Sequence, residues 1–225
     1  MHYVPCDLAS QKSIRNASEI ILEKYPKIDV VINCAGINAN ERKLTEDNLE
    51  MTWTVNHLAP FLLNNLLLER LKKSAPARIV NLSSATEKSG HIHFDDLSLT
   101  KGWSTFKSYT QAKLAMNACT RKMAKELEGT NITVNALNPG FIKTNLLRDL
   151  TGFEAIIGVL YMFFFGSKPE KGADRILRLA ISDEYENISG KFVYEDKIRK
   201  PNPEALDDTI VNRVWEISKE QTNIE

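Results

Sequence analysis

Tyr109 and Lys113, in the stretch SYTQAK at 108–113, are the pair whose residue types and spacing could do chemistry. Four positions apart on a helix, they share a face about one turn apart. A free phenol titrates near pH ~10, and an ammonium held close favours the phenolate, moving the group toward proton transfer at neutral pH. The pair is therefore a candidate general acid or base. Taken alone the spacing is a weak signal, because a Tyr and a Lys four apart arise by chance in many helices.

Such a pair needs a scaffold, and the hydrophobic pattern supplies one. Short apolar runs alternate with longer segments of helical period. Candidate strands are HYVPC (2–6), DVVINCA (29–35), ARIVNLSS (77–84), ITVNALN (132–138) and KFVYE (191–195). Candidate helices fall near 10–25, 46–73, 104–128, 169–182 and 203–219. This alternation predicts βα units, hence an α/β fold with a parallel sheet covered on both faces. Three strands end in small or polar residues: Asn33-Cys34-Ala35-Gly36, Ser83-Ser84 and Asn138-Pro139-Gly140. In a parallel sheet those ends share one edge, the edge where open α/β sheets bind ligands.

Local signals sharpen some boundaries. Ser167 and Glu170 have capping-box spacing, with Pro169 suited to a first helical turn. Gly129 falls where a helix C-terminus calls for a left-handed residue. In FLLNNLLLERLKK (61–73) apolar positions run nearly all the way round. Burial against the sheet is the expected arrangement, with a second subunit as the alternative.

Composition narrows the function classes. The 225 residues are expected to form one domain, 1–225, with 29 basic residues against 29 acidic ones. That balance gives no electrostatic reason to expect nucleic acid or an anionic membrane as partner. Cys6, Cys34 and Cys119 have no metal-ligand spacing and are odd in number, so neither zinc nor a disulfide framework is expected. His91, His93, Asp95 and Asp96 have no second cluster to complete a metal site. The apolar run AIIGVLYMFFFG (155–166) is shorter than the ~20 residues a membrane-spanning helix needs. It is expected to be a buried helix or loop, with a lid over an apolar substrate as the alternative. No G-x-S-x-G elbow is present, which disfavours the common α/β hydrolase.

Taken in order, VINCAG, TVNHLAPF, IVNLSS, YTQAK and VNALNPGFIKT resemble the short-chain dehydrogenase/reductase family, over residues 2 to about 195. HIHFDDL, SDEYENISGKFV and RVWEIS are similar to its retinol dehydrogenase branch. The resemblance implies a Rossmann-like doubly wound sheet and an oxidoreductase moving hydride between NADP(H) and a lipophilic alcohol or carbonyl such as a retinoid. NAD is the alternative cofactor. It implies Tyr109 as general acid or base, Lys113 lowering its pKa and holding the nicotinamide ribose, and Ser84 bonding the substrate oxygen. Asn56 would order a proton-relay water. For the cofactor it implies Asn33, Ala35 and Gly36 beside the ribose, Asp7 on the adenine, and Pro139, Gly140, Ile142 and Thr144 along the nicotinamide. Gly36, lacking a side chain, admits close approach to the backbone. Asp7 has a second reading as an acid leading the helix that starts near Ser10. The resemblance also admits a homodimer and a cytoplasmic location, at the cytosolic face of the endoplasmic reticulum for a longer form.

The family's glycine-rich turn, T-G-x-x-x-G-x-G, has no counterpart, since Gly36 is the first glycine. The fold expected is thus a doubly wound sheet lacking its first two βα units. In the order 3-2-1-4-5-6 this leaves HYVPC ~14 Å from its neighbour, at ~4.8 Å per strand. Either DVVINCA keeps an open edge or a new pairing forms. The alternative function is an inactive fragment or isoform, at most a binding module.

Overall fold

The computed structural model describes residues 2–143 and 166–224. Thr144, and the apolar run 155–166 except Gly166, lie outside the described residues.

Five strands form one sheet in the order β1 (Val30–Asn33), β2 (Ala77–Leu82), β3 (Ile132–Asn138), β4 (Phe192–Tyr194) and β5 (Lys197–Arg199). The first four are parallel, and β5 runs antiparallel to β4. The helices are α1 (Gln11–Lys24), α2 (Met51–Trp53), α3 (Ala59–Ser74), α4 (Thr105–Glu126), α5 (Pro169–Ile181) and α6 (Asp208–Thr222). A π turn, Thr54–Leu58, joins α2 to α3.

Alternation along each strand sorts its side chains between the two faces. Val31, Ile79 and Val134 pack with Leu67 and Leu71 of α3 and Met123 and Ala124 of α4. On the opposite face Val80, Leu137 and Val193 pack with Leu179 and Ala180 of α5. The α/β class and the parallel sheet are as expected. Segment 61–73 packs into the core through Phe61, Leu62, Leu67 and Leu71, while Glu69, Lys72 and Lys73 stay exposed. Part of its cover comes from the same chain: Trp215 of α6 meets Phe61 edge to face at 5.0 Å between ring centroids.

Three expectations need correction. HYVPC forms no strand; without a neighbouring strand its backbone has no ladder to join, and Tyr3 is 85% exposed. Among the described residues β1 therefore pairs only with β2 and keeps an open edge, where Ile32 is 40% exposed. Ser167 does not cap α5: Lys168 is the N-cap, without a side-chain bond. The Ser167 backbone is instead engaged with Phe141 O at 2.7 Å and Lys143 N at 2.9 Å. The last helix starts at Asp208 and not at 203, because Asp207 accepts from the Thr209 and Ile210 N–H groups and fixes the first turn there. Asn202 separately caps the short 3₁₀ turn Pro203–Ala205.

The β4–β5 hairpin went unread in the sequence. Its two-residue loop is Glu195-Asp196, with Glu195 at φ 55°, where Asn-Gly or Asp-Gly is the usual signal. Arginines from α5 hold both acids: Arg175 bonds Glu195 at 3.0 Å and Asp196 at 3.3 Å, and Arg178 bonds Asp196 at 2.9 Å. Tertiary charge pairing offsets an unfavourable turn residue.

Candidate active site

α4 begins at Ser104, whose hydroxyl accepts from Lys107 N–H at 3.2 Å. From there the helix presents Tyr109 and Lys113 toward the ends of β1 and β2. Lys113 is buried, and its ammonium donates to the carbonyl of Leu82, the last residue of β2, at 2.7 Å. It lies 5.7 Å from the centroid of the Tyr109 ring. At the end of β1, a Cβ on Gly36 would stand 3.6 Å from the Lys113 Nζ and 3.0 Å from Asn56 Oδ1. A side chain there would crowd both groups.

Asn56 reaches this point because it sits in the π turn, a helical irregularity common at functional sites. Its Oδ1 accepts from Ile37 N–H at 2.9 Å and its Nδ2 donates to Ile37 O at 2.8 Å. The side chain thereby clamps the loop that follows Gly36. Ser84 closes the group: it follows β2, bonds Thr86 Oγ1 at 2.9 Å, and its hydroxyl bears on the Tyr109 phenol. Asn56, Gly36, Lys113, Tyr109 and Ser84 thus form one continuous set.

Burial pushes the Tyr109 phenol up to about 12, and the Ser84 hydroxyl opposes the shift. The Lys113 ammonium is turned toward the Leu82 carbonyl, and its own burial pulls its pKa to about 8. The Tyr109 phenol is neutral at pH 7. Cys34 is close enough to support the charge on Lys113, and burial pushes the thiol's own pKa up.

The other sequence candidates divide. Asn33 turns its amide inward, donating to Asn64 Oδ1 and Asn81 Oδ1, both at 2.8 Å. Asn81 continues the network to Thr120 at 2.9 Å. This locks the end of β1 to α3 and α4. Ala35 is exposed at the β1 end. Asp7 accepts from Ala9 N–H at 2.9 Å, a local turn ahead of the Ser10 cap of α1. Ile142 packs its side chain toward Gly172 of α5. Pro139 and Gly140 follow β3, where Gly140 takes φ +84°.

Sequence reasoning missed Arg175. It is buried, and its guanidinium donates to Pro139 O at 2.6 Å while holding Glu195 and Asp196. It ties the Pro139-Gly140 turn to the hairpin. Nothing sets it apart in GADRILRL, where it is one of two arginines on an amphipathic helix. Among the described residues no group of His, Cys, Asp and Glu could hold a metal ion, and no helix is long and apolar enough to cross a membrane.

Tyr109 and Lys113 on the helix that follows β2, Ser84 at one strand end and Gly36 at another thus meet at one edge of the parallel sheet. The sequence matches the family described as short chain dehydrogenase over residues 1–154, and the chain belongs to that family. It is 40% identical to human Retinol dehydrogenase 13 over 225 residues, covering 97% of this chain and 68% of that protein. It is 41% identical to human Retinol dehydrogenase 14 over 216 residues, covering 95% and 64%. The chain thus spans about two thirds of the length of these curated relatives. Among solved structures it resembles a protein from Mycobacterium paratuberculosis, with TM-score 0.75, 27% identity, and coverage of 98% of this chain and 75% of that one. It also resembles an NADPH-bound carbonyl reductase from chicken fatty liver, with TM-score 0.63, 26% identity, and coverage of 87% and 75%.

Proposed function

We propose that the chain carries the proton-transfer half of a nicotinamide-dependent carbonyl reductase acting on lipophilic, retinoid-like aldehydes. The observation that carries this is the continuous set Asn56, Gly36, Lys113, Tyr109 and Ser84 at one sheet edge. The names of the retinol dehydrogenase relatives support the substrate class, and the NADPH-bound neighbour supports NADP over NAD.

The residues present fit the nicotinamide-ribose end of such a cofactor. Gly36 leaves open a place that a Cβ would take, with the Lys113 ammonium beside it, and Gly140 offers a bare backbone after β3. When bound, the cofactor supplies the hydride. The chain's residues do the rest. Tyr109, neutral at pH 7, donates its proton to the carbonyl oxygen as negative charge develops there. The Ser84 hydroxyl bonds the same oxygen. Lys113 supplies a positive charge near the phenol, Asn56 fixes the loop that follows Gly36, and Arg175 fixes the Pro139-Gly140 turn.

Reduction of retinal by the 225-residue protein with NADPH, followed at 340 nm beside a fluorescence titration of NADPH, tests this reading. Tyr109→Phe should lower kcat by ~10²-fold or more while NADPH binding persists. Unchanged reduction by that variant would remove Tyr109 from the mechanism. A second reading, a binding module without turnover, is favoured by the open β1 edge. It predicts no saturable NADPH binding in the same titration.

A further inference from the structure

β1 leaves one side of its backbone unpaired. Arg78 N–H donates to Asp29 O at 2.9 Å, and the register sets Val30 opposite Arg78 and Ile32 opposite Val80. In a parallel ladder alternate residues bond the same neighbour, so Asp29, Val31 and Asn33 turn their N–H and C=O groups to β2. Those of Val30 and Ile32, and of Cys34 next in the alternation, turn to the side where β1 has no neighbour among the described residues. Such a row of donors and acceptors is a template for another strand.

Edges that stay single are blunted by a Lys, a Pro or a bulge. Residues 30–34, VVINC, hold no Lys or Pro, and their register against β2 is unbroken. The side chains are apolar as well. Ile32 is 40% exposed on the face where Val30 packs beside α5, and Cys34 is exposed. Asp29, the nearest charge, is already paired with Lys27. With 29 basic residues against 29 acidic ones, the chain has no net charge to hold a second copy away.

The edge is also complementary to itself. An antiparallel copy related by a two-fold axis at Ile32 sets Ile32 against the partner's Ile32 and Val30 against the partner's Cys34, each pair exchanging N–H···O bonds. Val31 then faces the partner's Asn33 and Asp29 the partner's Ala35, so no like charges meet. Segment 2–6, the other apolar stretch outside the sheet, is a poorer occupant, because Pro5 has no N–H to give a ladder. We infer that two copies of this chain join edge to edge through β1, running one five-stranded sheet into the other. The contact is short, which places it among weak, concentration-dependent interfaces. It does not depend on the reaction assigned to Tyr109.

Sedimentation equilibrium of the full 225-residue protein over a ~100-fold range of concentration tests it. The average mass should rise from one chain to two and no further. Ile32→Lys and Ile32→Glu each set like charges across the axis and should weaken dimerisation at least ~10-fold, while an equimolar mixture of the two should restore it. Ile32→Pro removes only an outward N–H, so it should weaken dimerisation as much with the circular dichroism spectrum unchanged. Hydrogen exchange at high concentration should show protection over 29–35 that dilution removes. The inference is overturned by a single-chain mass throughout, by a mass that grows past two chains, by dimerisation that neither charge weakens, by a mixture that stays monomeric, or by concentration-dependent protection at 2–6 or 61–73 instead.

Discussion

His57 offers a quantitative test of how the helical layer is held. It lies in the π turn, 1% exposed, stacked against Trp53 at 4.5 Å between ring centroids. Ser218 donates its hydroxyl proton to Val214 O at 2.7 Å, so His57 Nε2–H must donate to Ser218 Oγ at 2.8 Å. That leaves Nδ1 as the unprotonated nitrogen, buried and without a partner. Protonation would place an N–H with no acceptor in an apolar site, and burial pulls the pKa from 6.5 to about 3. The unfolded chain therefore binds the extra proton first, and stability from this group, full above pH 6.5, is lost as pH falls toward 3. Integrating from pH 7 to pH 5 gives a loss of about 2 kcal/mol. Urea unfolding followed by circular dichroism at both pH values should show that loss in the wild type. In His57→Phe, where Ser218 keeps its bond to Val214, the loss should shrink by the same amount. Equal pH sensitivity in the two proteins would refute the buried, neutral imidazole.

Three further outcomes follow from the site. Asn56→Ala removes both bonds to Ile37 and should cost about 2 kcal/mol in urea unfolding, with a raised KM for NADPH as the loop after Gly36 loosens. Gly140→Ala forces a Cβ to 2.8 Å from Glu195 Oε1 and 2.9 Å from Arg175 Nη1 at φ +84°, and should lower the melting temperature by several degrees, corresponding to about 2 kcal/mol. Lys113, depressed from 10.5 to about 8, loses its charge as pH rises through 8, so retinal reduction should decline above that pH. Over pH 8 to 10.5 the unfolded chain holds the proton that the folded one has released, so urea unfolding should show this group's contribution to stability increasing.

Much of the frame was legible because periodicity is a local property of the chain. β3 occupies the full 132–138 expected of ITVNALN, and α4 spans 105–126 within the expected 104–128. The polar strand ends at Gly36 and Ser84 were legible for the same reason, since parallel strands bring their C-termini to one edge. What the sequence hid depends on partners distant in the chain. β5 has a Glu-Asp turn made tolerable by arginines about twenty residues earlier, and the HYVPC segment failed to pair because pairing needs a neighbour, whatever its β propensity. Spacing predicts that Lys113 is near Tyr109, but not that its ammonium points at the Leu82 carbonyl.

The π turn at 54–58 has a further consequence for how this molecule tolerates change. It places one residue more in that stretch of helix than regular α geometry uses, so the helix has two phases. Before it, Glu50 caps Trp53 N–H at 2.7 Å and holds the Trp103 indole at 3.2 Å; after it, Leu62, Leu67 and Leu71 face the core. Removing any single residue from Thr54–Leu58 would restore an unbroken α-helix of acceptable propensity. Because the bulge already absorbs the extra residue, both ends would keep the faces they present now, and what would be lost is the placement of Asn56 on the Ile37 loop. A one-codon deletion there should therefore leave the helix packed and release the clamp on the loop after Gly36.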